Sequence, residues 1–299
     1  MSAKHGIKMT RVDKAFTFFV YVFLTFCLLA VLYPLLYVVA ASFSDPSAVA
    51  TGKVWVWPVR PTLIAYQTVL GYRNIQTGFV NSFAYMFGST ALSLIGTIMA
   101  AYPLSRKEFV GRGVFTFVFA FTMYVGGGLI PTYLLISSLK MLDTYWVMVI
   151  PGMVSVWHVI MCRTYFQTTI SDELYEAAEI DGCSDFWYLI RIILPLSMPI
   201  LAVLGMYTAV GSWNGYFSAM IYLTSQEKYP LQITLRSILM LGRVEMTSID
   251  DAEALQNMQA LSTLLKYAVI VVASAPMMVI YVFVQKFFVK GVMIGSIKG

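Results

Sequence analysis

Apolar residues run through this chain in long blocks, separated by shorter polar stretches. A membrane-spanning helix needs roughly 20 mainly apolar residues. Runs at about 15–43, 80–105, 113–138, 144–165, 195–223 and 264–288 meet that length. The pattern therefore predicts an all-α polytopic membrane protein with six transmembrane helices. Residues 1–14 form a polar leading segment, and 15–299 form one transmembrane domain. Between the spans lie two long loops, 44–79 and 224–263, and a polar loop at 166–194, with a tail at 289–299.

Composition supports a bilayer as the solvent. The chain is 59% hydrophobic and 12% charged, with a mean hydropathy of +0.75, whereas soluble domains carry about 25% charged residues. The net charge of +5 could suggest nucleic acid. In so apolar a chain, the basic excess instead marks loops retained on the cytoplasmic side. Lys4, Lys8, Arg11 and Lys14 precede the first span, and Arg106, Lys107 and Arg112 follow the second. Both termini and the 166–194 loop are then cytoplasmic, and the loops 44–79 and 224–263 face out. The first apolar run is too long for a signal-peptide core of about 7–15 residues, and no small-residue cleavage site ends it. Cys27, Cys162 and Cys183 are scattered, without metal-ligand or disulfide spacing. No metal site or bound cofactor is expected.

The interior chemistry is sparse. No Asp, Glu, Lys or Arg sits at the centre of a predicted span, where an ion-coupled carrier would place its relay. His158 reads as a packing residue near an inner end. Ser89 and Ser212 each follow a glycine but lack a fuller nucleophile signature. Span five carries polar and aromatic groups, including Tyr207, Ser212, Trp213, Asn214 and Tyr216. They suit a path for a polar solute, and they suit interhelical hydrogen bonding equally well. Span three is interrupted by Gly126, Gly127, Gly128 and Pro131, which predicts a kink, either as tight packing or as a hinge.

The most informative stretch is SDELYEAAEIDGCSDFWYLIRIILP, from Ser171 to Pro195. Ser171 suits a helix N-cap, with Asp172 and Glu173 in the first turn. Leu174, Ala177 and Ala178 share one predicted face. Gly182 suits the left-handed position that ends a helix. Ser184 suits a second cap, and Pro195 restricts the helix that follows. Glu176-Ala177-Ala178, Gly182, Ile192 and Leu194-Pro195 stand in the order and spacing of a known signature. The loop resembles the EAA loop of permease subunits of bacterial ATP-binding-cassette importers. The pair Trp213-Asn214, the stretch PLSMPILAVL and the ending from Phe288 to Gly299 resemble the carbohydrate branch, in particular the second, six-span subunit of the maltose permease type. GGGLIPTYLLI resembles permeases for oligosaccharides and acidic sugar polymers, of the aldouronate, alginate and pectin-fragment types.

The resemblance implies a type I ABC importer permease fold in the bacterial cytoplasmic membrane. Leu174, Glu176, Ala177, Ala178, Asp181 and Gly182 would form or flank a coupling helix docked on an ATPase. Ile192, Leu194 and Pro195 would lead back into span five. Ile294, Lys298 and Gly299 would reach towards the ATPase dimer. Implied partners are a second homologous permease in a heterodimer, two copies of a cytoplasmic ATPase holding ATP and Mg, and an extracytoplasmic sugar-binding protein or lipoprotein. Nucleic acid is not implied. The chain lacks a phosphate-cradling loop of its own, so it is expected to be no enzyme. An ion-coupled secondary carrier and a membrane scaffold are the competing classes.

Overall fold

The computed structural model describes residues 10–241 and 252–296, with side chains described for 10–237 and 263–287. Every regular element among them is a helix. In order these are α1 (Arg11–Ser42), α2 (Pro46–Ala50), α3 (Ile64–Gly71), α4 (Arg73–Ser105), α5 (Arg112–Tyr124) and α6 (Leu129–Ser138). There follow α7 (Tyr145–Val149), α8 (Val156–Thr169), α9 (Asp172–Ile180) and α10 (Asp185–Tyr188). A π-helical turn, Leu189–Ile193, joins α10 to α11 (Leu194–Leu196), ahead of α12 (Met198–Asn214) and α13 (Phe217–Tyr222). A 3-10 turn, Gln226–Lys228, precedes α14 (Leu231–Leu241), and α15 (Ala252–Ser296) is last.

The chain divides into two compact units, one formed by Met1–Leu70 with Leu239–Val272, the other by Gly71–Ile238 with Ala273–Gly299. In the first unit, α1 opens with a capping box in which Thr10 and Asp13 satisfy each other's backbone donors. Its apolar side chains remain exposed along most of its length, Phe16, Phe19, Phe23 and Phe26 among them. Such a surface needs lipid or another protein to cover it. Beyond it, Phe43 stacks on Tyr66 at 4.7 Å, and the hydroxyls of Ser42 and Tyr66 lie 2.7 Å apart.

The second unit is built on α4. At 1.5 Å per residue this 33-residue helix is about 50 Å long. It packs against α8 and α12. Ala101 and Leu104 near its C-terminal end share a core with Val159, Cys162, Phe166, Leu201 and Leu204. Tyr85, nearer the other end, joins a second core with Ile136, Val147, Ala219 and Tyr222.

Three predicted spans appear as long helices: α1, α4 and the Thr263–Phe287 part of α15 are long and apolar enough to cross a membrane. The other three are broken. The predicted 113–138 span is α5 and α6, bent by 113° at the glycine run. Gly128 supplies the turn at φ +80 and ψ 179, a region essentially confined to glycine that costs a side-chain-bearing residue about 1–3 kcal/mol. Pro131 lies in the first turn of α6, where its missing N–H costs no intrahelical bond. The kink is therefore the glycines' doing and not the proline's. The predicted 144–165 span is α7 and α8 separated by Pro151 and Gly152. With 14 residues, α8 is about 21 Å long, short of the roughly 30 Å hydrocarbon core. The predicted 195–223 span begins earlier, within the helical stretch Asp185–Leu196. It bends by 79° into α12 and breaks again at Gly215.

Candidate functional site

The Ser171–Pro195 stretch folds largely as its caps and glycine predict. Ser171 and Ser184 occupy the N-cap positions of α9 and α10 with extended backbones, yet neither side chain makes a capping hydrogen bond. The C-terminal end of α9 is closed more firmly. The N–H of Gly182 donates to the Glu179 carbonyl and that of Cys183 to the Ala178 carbonyl, each at 2.9 Å. With Gly182 at φ +71, this is a Schellman turn with Asp181 as its C-cap.

The predicted small-residue face splits in two. Ala178 is 7% exposed and sits in the core with Tyr188, Ile193, Leu104 and Phe166. Leu174, Glu176 and Ala177 point away from that core and are exposed, as is Ile180 at 86%. One side of α9 is thus fixed to this chain, and the other is bare. Ile192 and Leu194 are half-buried against the same core, and Pro195 is exposed.

What pins α9 is a cluster that the sequence pattern does not disclose. The guanidinium carbon of Arg106, just past α4, lies 3.4 Å from the ring centroid of Tyr175. It lies 5.9 Å from that of Tyr188 and pairs with Glu108 at 3.4 Å. Tyr175 in turn donates its hydroxyl to Asp185 at 3.1 Å. Lys107 reaches Asp172 at 2.5 Å, and the pair holds the Asp172 carboxyl below its usual range. Both partners are exposed, so water screens this pair and its geometry matters more than its energy. From the α8 side, Arg163 donates to the Leu104 carbonyl at 2.9 Å and Gln167 to that of Ser105 at 3.2 Å.

The other end of α4 carries a second knot. Asp143, at φ +54 between α6 and α7, accepts from the N–H groups of Thr224 and Ser225 at 3.0 Å. It also accepts from the Ser225 hydroxyl at 2.6 Å and from Lys228 at 2.8 Å. The Lys228 bond, first, and the Ser225 and Thr224 donors hold its carboxyl well below the usual carboxylate range. Asn81 donates to the carbonyls of Glu227 and Tyr229, Tyr85 to that of Lys228, and the Leu231 N–H to Ser82. The start of the predicted outer loop 224–263 is therefore tied to α4; its residues 242–251 lie outside the described residues.

The candidate solute path is redistributed. Trp213 is 1% exposed. Its indole N–H donates to the Ala273 carbonyl at 2.9 Å, and the ring packs on Phe83 at 5.0 Å and Phe79 at 6.1 Å. Its burial and its bond to the Ala273 carbonyl favour, of the two readings, the helix-packing one. Ser212 is half-buried, whereas Tyr207, Asn214 and Tyr216 are exposed. Asn214 is the last residue of α12, and Tyr216 begins α13 after the break. His158 keeps a buried, unpartnered Nδ1 within α8. Ile294 falls in α15 without a described side chain, and Lys298 and Gly299 lie outside the described residues. No cluster of metal-ligating groups occurs among the described residues.

The family model for the binding-protein-dependent transport system inner membrane component matches residues 92–294, from the middle of α4 to the end of α15. The chain belongs to this family. As a binding-protein-dependent permease it is 37% identical to the protein LplC of Bacillus subtilis (strain 168), over 89% of each chain. It is 35% identical to the polygalacturonan/rhamnogalacturonan transport system permease protein YtcP of the same organism, over 96% of this chain and 99% of that one. Among solved structures, a bacterial ABC transporter involved in the import of the acidic polysaccharide alginate superposes with a TM-score of 0.84 at 33% identity, covering 95% of this chain and all of that one. The permease is thus an inner-membrane transport component of the sugar ABC importer type, and the family is not one of enzymes. Its fold is the all-helical type I ABC permease fold.

Proposed function

We propose that this permease forms one half of the translocation pathway of an ATP-driven importer of oligosaccharides, and that its cargo is acidic. The observation that carries the coupling role is α9: a helix with Ala178 locked into the bundle core and Leu174, Glu176, Ala177 and Ile180 left bare. A partner ATPase dimer, holding ATP and Mg, grips that bare side, and Glu176 pairs with a basic group in its groove. Force applied there passes to α4 through Ala178 and the Arg106–Tyr175 stack. Acidic cargo is favoured because the transporters of polygalacturonan and alginate resemble this chain at 35% and 33% identity. The arabinooligosaccharide and galactooligosaccharide permeases stand at 26–28%.

In this reading the chain crosses the membrane six times with both termini inside, α7 and α8 together making the fourth crossing. A second, homologous permease completes the channel as a heterodimer, and an external binding protein delivers the sugar. The test is a cysteine at Glu176 in a background without Cys27, Cys162 and Cys183. A membrane-impermeant maleimide should label it only from the cytoplasmic side, and the assembled ATPase should protect it. Labelling from outside, or equal labelling with and without ATPase, overturns the coupling assignment. Gly182→Asp and Glu176→Lys should abolish uptake while the chain still inserts.

A further inference from the structure

The break between α12 and α13 has a feature that neither packing nor coupling uses. Tyr216 stands at this break with its side chain exposed, next to the exposed Asn214. The guanidinium carbon of Arg236, on α14, lies 4.7 Å from the Tyr216 ring centroid. Arg236 is itself exposed and has no carboxylate partner among the described residues. The cation is held in place by its helix. α14 is anchored where the Leu231 N–H meets Ser82 and where Asn81 holds the Glu227 and Tyr229 carbonyls. Leu231 and Leu235 on α14 are buried.

These facts fit a reader of anions. A guanidinium attracted to an aromatic face is oriented without losing its N–H groups, since the ring offers no hydrogen-bond acceptor of ordinary strength. The planar N–H fork then matches a carboxylate, which it can bind in bidentate fashion. Broken membrane helices are also where transporters place solute sites, because the backbone polar groups freed there need partners. A neutral sugar would gain little from a fixed cation at this point. A uronate residue carries the group that it matches.

Resting on the importer reading above, we infer that Arg236, held at Tyr216 beside the α12–α13 break, is a specificity-determining residue of the solute path. It takes one carboxylate of an acidic oligosaccharide as the chain enters the bundle. Tyr216 orients the cation, and Asn214 offers an amide to the neighbouring hydroxyls.

The experiment uses the complete importer, with partner permease, ATPase and binding protein, in proteoliposomes with ATP on the ATPase side. Trimers of galacturonate, mannuronate and guluronate are the probes, and sugar taken up per ATP hydrolysed is the readout. That ratio separates solute handling from assembly and docking. For the trimer transported best, Arg236→Gln should lower the ratio about tenfold, the scale of one lost charge-assisted hydrogen bond, and Arg236→Glu should lower it further. Arg236→Lys, which keeps the charge but not the planar fork, should recover only part of the loss. A Gln variant with the wild-type ratio, or a Lys variant as defective as Gln, overturns the role of Arg236 and leaves the importer reading standing. A wild-type complex that takes up none of the uronate trimers overturns the acidic cargo class, and this inference with it.

Discussion

Gly182 shows how a single residue sets the shape of the proposed docking surface. Its φ of +71 lies where a side chain is strained, although a Cβ there would meet nothing within 4 Å. The penalty for substitution is therefore conformational and not steric. Gly182→Ala should destabilise the C-terminal turn of α9 by about 1 kcal/mol, and Gly182→Asn by less, because Asn tolerates the left-handed region. Amide exchange at Cys183, whose N–H closes the turn, should quicken in that order. Equal exchange in the wild type and Gly182→Ala would show that the turn does not depend on glycine. Arg106 makes a different contribution. A partly desolvated cation–π contact is worth about 0.5–2 kcal/mol, and here it joins the end of α4 to α9. Arg106→Ala should loosen α9 and lower uptake per ATP, with Arg106→Lys intermediate because it keeps charge but not planarity. Unchanged uptake per ATP in Arg106→Ala would remove the stack from the transmission path.

At the scale of elements, α4 is the rod on which both working ends are mounted. From Ser82 to Arg106 it spans about 36 Å, with the Asp143 knot near one end and the α9 clamp at the other. The knot carries a pH dependence whose sign follows from Asp143. Its carboxyl is held below the usual range in the folded chain, so its stabilisation is complete above the unfolded carboxylate value of about 3.9. That stabilisation is lost only as pH falls through the lower folded value. Amide exchange at Thr224 and Ser225, corrected for its intrinsic pH dependence, should therefore stay protected down to about pH 4. In Asp143→Asn the same amides should be exposed already at pH 7, and equal protection in both proteins would show that the carboxylate is not the tie. Neither the knot nor the clamp was legible in the sequence. Lys107 and Asp172 are 65 positions apart, and Asp143 and Lys228 are 85 apart. No local spacing announces such meetings. The α9 helix and its turn were legible because caps, charges and glycine act within one or two turns of the chain. The breaks in spans three, four and five were only half legible. Composition marks an apolar block, but it does not show whether Gly128 or Pro151 divides that block into two helices.

For the whole molecule, the question is where the driving force enters. The described long spans hold no Asp, Glu, Lys or Arg at mid-depth: α12 has none, α4 has none after Arg73, and the Thr263–Phe287 stretch has Lys266 and Lys286 only near its ends, while α8 carries His158 with its buried Nδ1 and has Arg163 further along. A proton or sodium gradient acts on charges placed within the membrane, and among the described residues His158 on α8, with its buried Nδ1, is the histidine such a gradient could act on. Charged and conformationally special groups gather instead at α9 and its clamp, the proposed docking surface. In the proposed importer, work arrives as a change in which of two bundle states the ATPase partner prefers. The complete importer in proteoliposomes should take up sugar with ATP supplied and with a protonophore and a sodium ionophore present. Removing ATP while imposing either gradient should stop uptake. Gradient-driven uptake without ATP would overturn the ATP-driven reading and point to an ion site at His158 on α8 or in the proposed second permease. On the proposed coupling role, this permease assembled without an ATPase should insert in the membrane yet move no sugar, because nothing would act on the bare side of α9.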